Sequence, residues 1–268
     1  MSIKIFIATH KNYEMPDDDI YIPLEVGASL RKDLGLKGVR DNTGLNISEK
    51  NPNYCELTGY FWIWKNIKDA DVVGLVHYRR YFKGNSKVQG KFANILDAQE
   101  IENCLRDYQV ILPVKRNYFV ETVRSQYVHA HHEEDLLALE KAMRKICPTY
   151  LPAFEQVMNS KKLHLLNMFV MKKELFDEYC TWLFSVLAQV ENTLSISEYS
   201  KNDARVYGFL SERLLDVWLI KNKIRYCELP VLNLEPVNWP QKIAKFLIRK
   251  AGLKKINRIE KNFSSRHA

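Results

Sequence analysis

Short apolar runs alternate with amphipathic segments along this chain. Residues 3–9 are β-branched and aromatic and end in the polar cluster Thr9-His10-Lys11-Asn12, which predicts a buried strand. A turn at Asn51-Pro52-Asn53 precedes an aromatic-rich segment over residues 54–66, which predicts a helix. Residues 71–76 then predict a second buried strand.

The same alternation continues through the rest of the chain. Its segments are a helix over 98–106, a strand over 108–112, a strand over 165–171, a helix over 174–189, a helix over 204–221 and a strand over 224–229. Strands that alternate with helices of this length indicate βαβ units. We therefore predict an α/β fold with a mostly parallel sheet flanked by helices and a mostly helical insertion at residues 118–159.

Positive charge is concentrated near one end of the chain. The 268 residues are 46% hydrophobic, enough for a sizeable core, and carry a net charge of +8. Residues 242–261 hold eight Lys or Arg residues and one Glu. A nucleic-acid-binding protein usually spreads its basic residues over a folded face, so we expect no nucleic-acid partner. We assign residues 1–239 to one domain and residues 240–268 to a basic amphipathic tail.

The cysteine spacing and the hydropathy of the chain predict a cytoplasmic protein. The five cysteines lie more than thirty residues apart, which argues against a CxxC zinc pair and a compact disulfide framework. The apolar opening at residues 3–8 is too short for a signal peptide, and no apolar run approaches the ~20 residues of a membrane span. We expect reduced thiols and a cytoplasmic protein.

A pair of arginines follows the second predicted strand. In an open parallel sheet, ligands bind beyond the carboxyl ends of the strands. The run His77-Tyr78-Arg79-Arg80 lies at such an end, and arginine is well shaped for bidentate binding of phosphate. The alternative is that Arg79 and Arg80 form surface ion pairs.

Glycine-rich phosphate loops do not occur in the sequence. The chain has neither a GxGxxG fingerprint nor a Walker A motif, so a phosphate-bearing ligand would have to be held by side chains. Asp17-Asp18-Asp19 and Asp69-Ala70-Asp71 both spell DxD, a pattern that can hold a divalent metal on a diphosphate. The first follows a proline in a loop and the second opens a strand, so we expect turn or capping roles.

Two further groups of residues could carry chemistry. The run His129-Ala130-His131-His132-Glu133-Glu134-Asp135 offers ligands for a metal, contacts for a hydroxyl-rich molecule, or only a solvated surface. Glu212 lies in an otherwise apolar helix, where its carboxylate either deprotonates an acceptor hydroxyl or pairs with Arg205 or Arg213. Asp203 is the alternative base.

Seven sets of motifs occur in order over residues 3–235. They are Ala8-Thr9-His10-Lys11, Tyr21-Ile22-Pro23-Leu24 with Val26-Gly27-Ala28, DNTGLNIS at 41–48, CELTGYFWIWKN at 55–66, GLVHYRRYF at 74–82, NMFVMKK at 167–173 and GFLSERL at 208–214. In this combination the chain resembles a bacterial family first catalogued as a domain of unknown function, number 4422. That family is typical of capsular and exopolysaccharide gene clusters, and its members are regarded as glycosyltransferases, some of them galactofuranosyltransferases.

The resemblance implies a GT-A-like fold and a role for each matching segment. The donor sugar nucleotide would be bound by Thr9, His10, Lys11, Asp41, Asn42, Asn46, Glu56, Thr58, His77, Tyr78, Arg79 and Arg80. The acceptor would contact His129, His132 and Asn167, with the helical insertion on its side. Glu212, or Asp203 as the alternative, would remove the acceptor proton. Arginines would offset the charge of the leaving diphosphate, so we assign no metal ligand and leave a need for Mn²⁺ or Mg²⁺ to experiment.

The basic tail acquires a role from the same resemblance. Its apolar residues recur at loosely helical spacing between lysines and arginines, which suits an interfacial helix on an anionic membrane. The alternative is a helix packed on the domain. We expect a peripheral protein at the inner face of the cell membrane that transfers a sugar from a UDP-sugar, with UDP-galactofuranose as candidate, to a lipid-linked saccharide. The rivals are a non-catalytic polysaccharide- or lipid-binding module and a metal-dependent phosphate hydrolase.

Overall fold

The computed structural model describes residues 1–85 and 90–235 of the chain. Its strands are β1 Ile3–Thr9, β2 Tyr21–Glu25, β3 Val39–Arg40, β4 Val72–His77, β5 Arg80–Phe82, β6 Val110–Pro113, β7 Arg116–Asn117, β8 Lys162–Leu163, β9 Phe169–Lys172, β10 Tyr226–Leu229 and β11 Val231–Asn233. Its α-helices are α1 Asn51–Tyr54, α2 Leu57–Asn66, α3 Ala98–Asp107, α4 Val123–Ala130, α5 Glu133–Ile146, α6 Leu151–Asn159, α7 Lys173–Glu191 and α8 Val206–Lys221. The predicted interfacial helix of the tail lies outside the described residues.

A nine-stranded sheet forms the centre of the described part of the chain. Its main path is β10-β6-β9-β4-β1-β2-β3, with β5 joining β11 to β4. Neighbours pair in parallel from β3 to β4 and again between β6 and β10. Only β9 and β5 run against the other strands, because each is antiparallel to both of its neighbours. The predicted α/β class with a mostly parallel sheet is confirmed.

Strand β1 shows why both faces of the sheet are covered. Ile5 and Ile7 point to one face, where they pack with α3, while Phe6 and Ala8 point to the other, where the remaining helices lie. Successive side chains of a strand alternate between faces, so a strand buried on both sides appears in the sequence as a continuous apolar run. That is the run at residues 3–9 that predicted β1.

Two predicted elements are interrupted by left-handed residues. The predicted helix over 54–66 is broken at Cys55, whose φ of 54° ends α1 before α2 begins. The predicted strand over 165–171 begins later, as β9, because Leu166 and Asn167 have φ values of 82° and 48°. Such values are uncommon for residues other than glycine and require support from surrounding contacts.

The cysteines differ in part from the expectation of reduced thiols. The structure joins Cys104 in α3 to Cys227 in β10, while Cys55, Cys147 and Cys180 are free. The pair is 123 residues apart in the chain. The two cysteines lie close together because α3 contacts β6 and β10 pairs with β6.

The helices of residues 1–85 and 90–235 are too short or too polar to be membrane spans.

Candidate functional site

A cavity of about 450 Å³ opens at the carboxyl edge of the sheet. Ala8, Val26 and His77, at the ends of β1, β2 and β4, line it at the edge where parallel sheets bind ligands. The other lining residues come from the loops and helices around this edge. They are His10, Arg31, Asn51, Pro52, Cys55, Glu56, Tyr78, Arg79, Arg80, Leu166, Lys201, Arg205 and Glu212.

Positive charge predominates in this cavity. Five cationic side chains line it against two carboxylates, those of Glu56 and Glu212. Arg79 Nη1 donates to Glu235 Oε2 at 2.7 Å, so its charge is partly neutralised. Within residues 1–85 and 90–235, the other four cations form no ion pair. They are Arg31, Arg80, Lys201 and Arg205.

The imidazole of His10 is affected by this concentration of charge. Burial lowers the pKa of His10, and Arg31, Lys11, Arg79 and Arg205 lower it further. The ring stands edge-on to the Tyr78 ring, with centroids 5.5 Å apart. His10 is therefore a neutral ring in a positive field, which favours an anionic ligand at the end of β1.

Glu212 is the partly buried carboxylate on the α8 side of the cavity, with its side chain 18% exposed. Its Oε1 accepts a hydrogen bond from the backbone N–H of Leu166 at 2.8 Å, and its Oε2 accepts one from Arg213 Nη1 at 3.0 Å. Burial raises the pKa of Glu212, and the neighbouring Arg213 opposes that rise. The two interpretations of Glu212 are therefore compatible, because this carboxylate lines the cavity and also forms an ion pair.

The left-handed residues 166–167 hold three site groups together. The carbonyl of Leu166 accepts a hydrogen bond from His77 Nε2 at 2.7 Å, while its N–H donates to Glu212. Asn167 Nδ2 donates to Glu56 Oε1 at 2.7 Å. A backbone strain of about 1–3 kcal/mol per residue persists only where surrounding contacts impose it, and such sites cluster at functional centres.

His77 has a defined proton position in this arrangement. Burial lowers the pKa of His77, although Glu56 opposes the effect. Because a carbonyl oxygen can only accept, Nε2 must carry the proton that is donated to Leu166. The neutral ring then has Nδ1 as a hydrogen-bond acceptor.

Cys55, between α1 and α2, closes another side of the cavity. Arg205 Nε donates to Cys55 Sγ at 3.2 Å, and burial raises the pKa of this thiol to about 11. A side chain at Gly208 would place its Cβ 3.1 Å from the same sulfur atom. Glycine in α8 thus permits the close approach that brings Cys55 and Arg205 to the cavity.

Seven of the predicted site residues line the cavity, from four separate parts of the chain. They are His10, Glu56, His77, Tyr78, Arg79, Arg80 and Glu212.

Other predicted donor residues support the loops around the cavity instead of lining it. Thr9 Oγ1 accepts from the N–H of Lys11, within a turn after β1. Asp41 is fully buried and accepts hydrogen bonds from the backbone N–H groups of Gly27 and Ala28 at 2.8 and 2.9 Å. The carboxylate is therefore committed to the protein backbone and unavailable to a ligand.

Three more predicted donor residues are likewise outside the lining. Thr58 Oγ1 donates to the carbonyl of Cys55 at 3.1 Å, at the break between α1 and α2. Asn46 is exposed and accepts from the N–H of Ser48 at 3.2 Å. Asn42 is partly exposed in the same loop. Sequence motifs identified these segments, but tertiary packing decides which side chains face the cavity.

The predicted acceptor residues and the alternative base lie outside the lining as well. His129 Nδ1 is 2.6 Å from the carboxylate of Glu121. The ring of His132 stacks on Tyr199, with centroids 4.0 Å apart, and its Nε2 is 3.7 Å from Asp203 Oδ2. Asn167 is buried, and its side-chain amide donates a hydrogen bond to the carboxylate of Glu56.

The first DxD tripeptide has the turn role expected from its position, whereas the second forms an ion pair and accepts a backbone hydrogen bond. Asp18 Oδ1 accepts from the N–H of Ile20 at 3.0 Å. Asp69 pairs with Lys4 at 2.6 Å, and Asp71 accepts from the N–H of Ser2 at 2.8 Å. In residues 1–85 and 90–235, no three His, Cys, Asp or Glu side chains converge to hold a metal ion.

Three cationic lining residues carried no sequence signal. Arg31 follows a short 3-10 helix after β2, Lys201 precedes the 3-10 turn before α8, and Arg205 ends that turn. The sequence suggests Arg205 only as an ion-pair partner of Glu212. No motif joins these residues, because they come together only when α8 packs against the edge formed by α1.

Comparisons with known proteins agree with this fold. The apo structure of WbbM, a bifunctional glycosyltransferase, superimposes with a TM-score of 0.81 at 30% sequence identity, over 88% of this chain and 46% of that chain. This chain thus spans less than half of the WbbM chain. No curated protein matches the sequence. The model of the family described as a domain of unknown function, DUF4422, matches residues 4–223, so the chain belongs to that family.

Proposed function

We propose that this chain is a glycosyltransferase that uses a nucleoside diphosphate sugar, a UDP-sugar, as its donor. The observation that carries the proposal is the strand-edge cavity in which cationic side chains surround two carboxylates. The structural similarity to a bifunctional glycosyltransferase supports the general class.

The cations would bind the donor diphosphate. Arg80 and Arg205 line the cavity from different elements, one after β4 and the other before α8. Guanidinium groups form strong, charge-assisted and often bidentate hydrogen bonds to phosphate. As the sugar transfers, negative charge grows on the leaving diphosphate, and fixed cations stabilise that charge.

Glu212 is the general base in this proposal. The acceptor hydroxyl oxygen forms a bond to the anomeric carbon of the sugar, the bond from that carbon to the diphosphate oxygen breaks, and UDP leaves with the electron pair. The carboxylate of Glu212 takes the hydroxyl proton. A pKa raised by burial makes this carboxylate a better base than an exposed glutamate. Asp203 is a weaker candidate because it lies outside the cavity lining.

No divalent metal has a step in the proposed mechanism. Among the described residues, no DxD carboxylate lines the cavity: Asp18 accepts within a turn, Asp69 pairs with Lys4, and Asp71 accepts from the N–H of Ser2. Arginine and lysine would take the place of the metal in offsetting the diphosphate charge.

The acceptor and the setting belong to the same proposal. The family resemblance supports a lipid-linked saccharide acceptor in capsular or exopolysaccharide synthesis, UDP-galactofuranose as candidate donor, and a cytoplasmic protein held at the membrane through residues 240–268. The helical insertion at 118–159, with His129 and His132, would face the acceptor. Residues 1–239 would form the catalytic domain.

A transfer assay tests the proposal. We would measure UDP release from a panel of UDP-sugars with a saccharide acceptor, with added Mn²⁺ and with a chelator. The expected result is release that survives chelation, is lost in Glu212→Gln and is retained in Asp203→Asn. Activity restored only by Mn²⁺ would refute the metal-free step, and normal turnover by Glu212→Gln would refute the base.

The two rivals predict different results in the same experiment. A non-catalytic binding module would bind the polymer but would not bind UDP, and it would release no UDP from any donor tested. Metal-dependent phosphate release without sugar transfer would favour a hydrolase.

A further inference from the structure

Exposed apolar side chains cluster on one short segment after β6. Phe119 and Val120 are 75% and 62% exposed, and Val114 is 53% exposed. Three of the nine large hydrophobic side chains that are exposed in the described part of the chain thus fall within seven residues. Single exposed hydrophobic residues are ordinary, whereas a cluster indicates a contact surface. We call Phe119 and Val120 the apolar tip.

The backbone holds the apolar tip in place. The N–H of Phe119 donates to Asn117 Oδ1 at 2.8 Å, with Phe119 in the left-handed region at φ 59°. The adjacent Tyr118 is buried, and its N–H donates to the carbonyl of Lys161 at 2.8 Å. The projection of the tip therefore comes from a defined turn anchored by a buried aromatic ring.

Cationic side chains surround the base of the tip. Arg116 in β7 and the neighbouring Lys161 and Lys162 at β8 are all exposed. None of the three has an ion-pair partner among residues 1–85 and 90–235. The nearest acidic residue in the chain, Glu121, is buried and bonded to His129. Apolar residues that project from a basic surface are complementary to an anionic lipid interface.

The tip lies on the same edge of the sheet as the cavity. β6 runs in the direction of β4, because both are antiparallel to β9, so its C-terminal end points to the cavity edge. Burial raises the pKa of Tyr118, and the charges of Arg213 and Glu212 also act on it. The segment that carries the tip is therefore close to the carboxylate proposed as the base.

We propose that Phe119 and Val120 insert into the interface of an anionic bilayer, with Arg116, Lys161 and Lys162 against the lipid headgroups. The membrane contact is independent of the chemistry in the cavity. Its purpose, presentation of a lipid-linked acceptor to the cavity, rests on the proposed function.

Vesicle binding by the full chain tests the contact. Binding would be measured by co-sedimentation with vesicles of phosphatidylglycerol and phosphatidylcholine, and with vesicles of phosphatidylcholine alone. High salt would be used in a second series, because it screens the attraction of the basic residues at 242–261 but leaves apolar insertion intact. The variant is Phe119→Ser with Val120→Ser, and the matched control is Leu137→Ser with Ile146→Ser on α5, which also removes two exposed apolar side chains.

The tip variant, which loses two apolar side chains, should lose at least about tenfold in vesicle partitioning at high salt, because withdrawing even one large apolar side chain from a lipid interface has about that effect. The control should bind like the wild type, and both should keep its melting temperature. Equal binding by the tip variant and the wild type, or no vesicle binding by the wild type, would overturn the proposal. So would equal losses in the two variants.

Activity separates this inference from the proposed function. The tip variant should release UDP at the wild-type rate with a water-soluble acceptor and more slowly with a lipid-linked acceptor in vesicles. Slower release with the soluble acceptor would assign the tip to catalysis and overturn the membrane role. Tip-dependent vesicle binding without any UDP release by the wild type would leave the surface standing and remove the transferase.

Discussion

Replacing Arg80 with methionine should weaken the binding of UDP far more than the same change at Arg79. The two arginines are adjacent in sequence and both line the cavity. Arg79 is bound to the carboxylate of Glu235 at 2.7 Å, whereas Arg80 has no ion-pair partner among the described residues. Burial and the neighbouring Arg79 lower the pKa of Arg80, which remains charged because arginine does not deprotonate in proteins.

The expected loss of UDP affinity in each variant follows from the surroundings of the arginine that it replaces. A hydrogen bond to a charged group contributes about 1.5–3 kcal/mol, and a partly buried guanidinium without a partner can direct all of that to the phosphate. Arg80→Met should therefore raise the Kd for UDP by about 10- to 150-fold. Arg79 and Glu235 are 39% and 44% exposed and already paired, and such pairs contribute about 0–1 kcal/mol. Arg79→Met should raise the Kd by less than about fivefold.

Isothermal titration calorimetry with UDP measures both constants directly. Methionine keeps most of the apolar stem, so packing is retained and the change is mainly in charge. The titrations would be repeated with uridine, which lacks the diphosphate and should bind all three proteins alike. Equal losses for the two variants, or a larger loss for Arg79→Met, would show that pairing with Glu235 does not determine which arginine binds the diphosphate.

Three other substitutions test the remaining parts of the site. Asn167→Gly allows the left-handed backbone but removes the hydrogen bond from Asn167 to Glu56. We expect kcat to fall about tenfold while the Kd for UDP stays unchanged. A parallel loss of UDP affinity would contradict a positioning role for Asn167. Arg213→Met removes a cation that lowers the pKa of Glu212. The acidic limb of the pH profile of kcat/KM should therefore move to higher pH. A limb that does not move would exclude Glu212 as the titrating base. Asp41→Ala leaves two backbone N–H groups without their acceptor and should lower the free energy of unfolding by about 2–4 kcal/mol in urea titrations, whereas an unchanged midpoint would argue against its anchoring role.

Local patterns were sufficient to predict the fold class. The continuous apolar run at residues 3–9 predicted β1 because a strand buried on both faces has no polar alternation. The polar cluster after it and the arginines after β4 were expected at a ligand site because parallel strands share one carboxyl edge. His10, His77 and Arg80 do line the cavity at that edge.

Interruptions within elements were not predictable from the same patterns. Cys55, Leu166 and Asn167 lie within apolar stretches that read as a helix and a strand, yet all three are left-handed. Their conformations depend on partners more than forty residues away in the chain, such as Glu212 and Arg205. Hydrophobic periodicity reports burial and carries no information on such distant hydrogen bonds.

The sequence by itself thus determined which segments are buried and which polar residues follow the strands, because burial imposes a period on neighbouring residues. Only the tertiary structure decided which of those residues share a cavity. It turned Asp41 toward the backbone and brought Arg31 and Arg205 to the cavity. It also gave one of two adjacent arginines an acidic partner. These outcomes depend on how distant elements pack, a property that no local pattern of residue types contains.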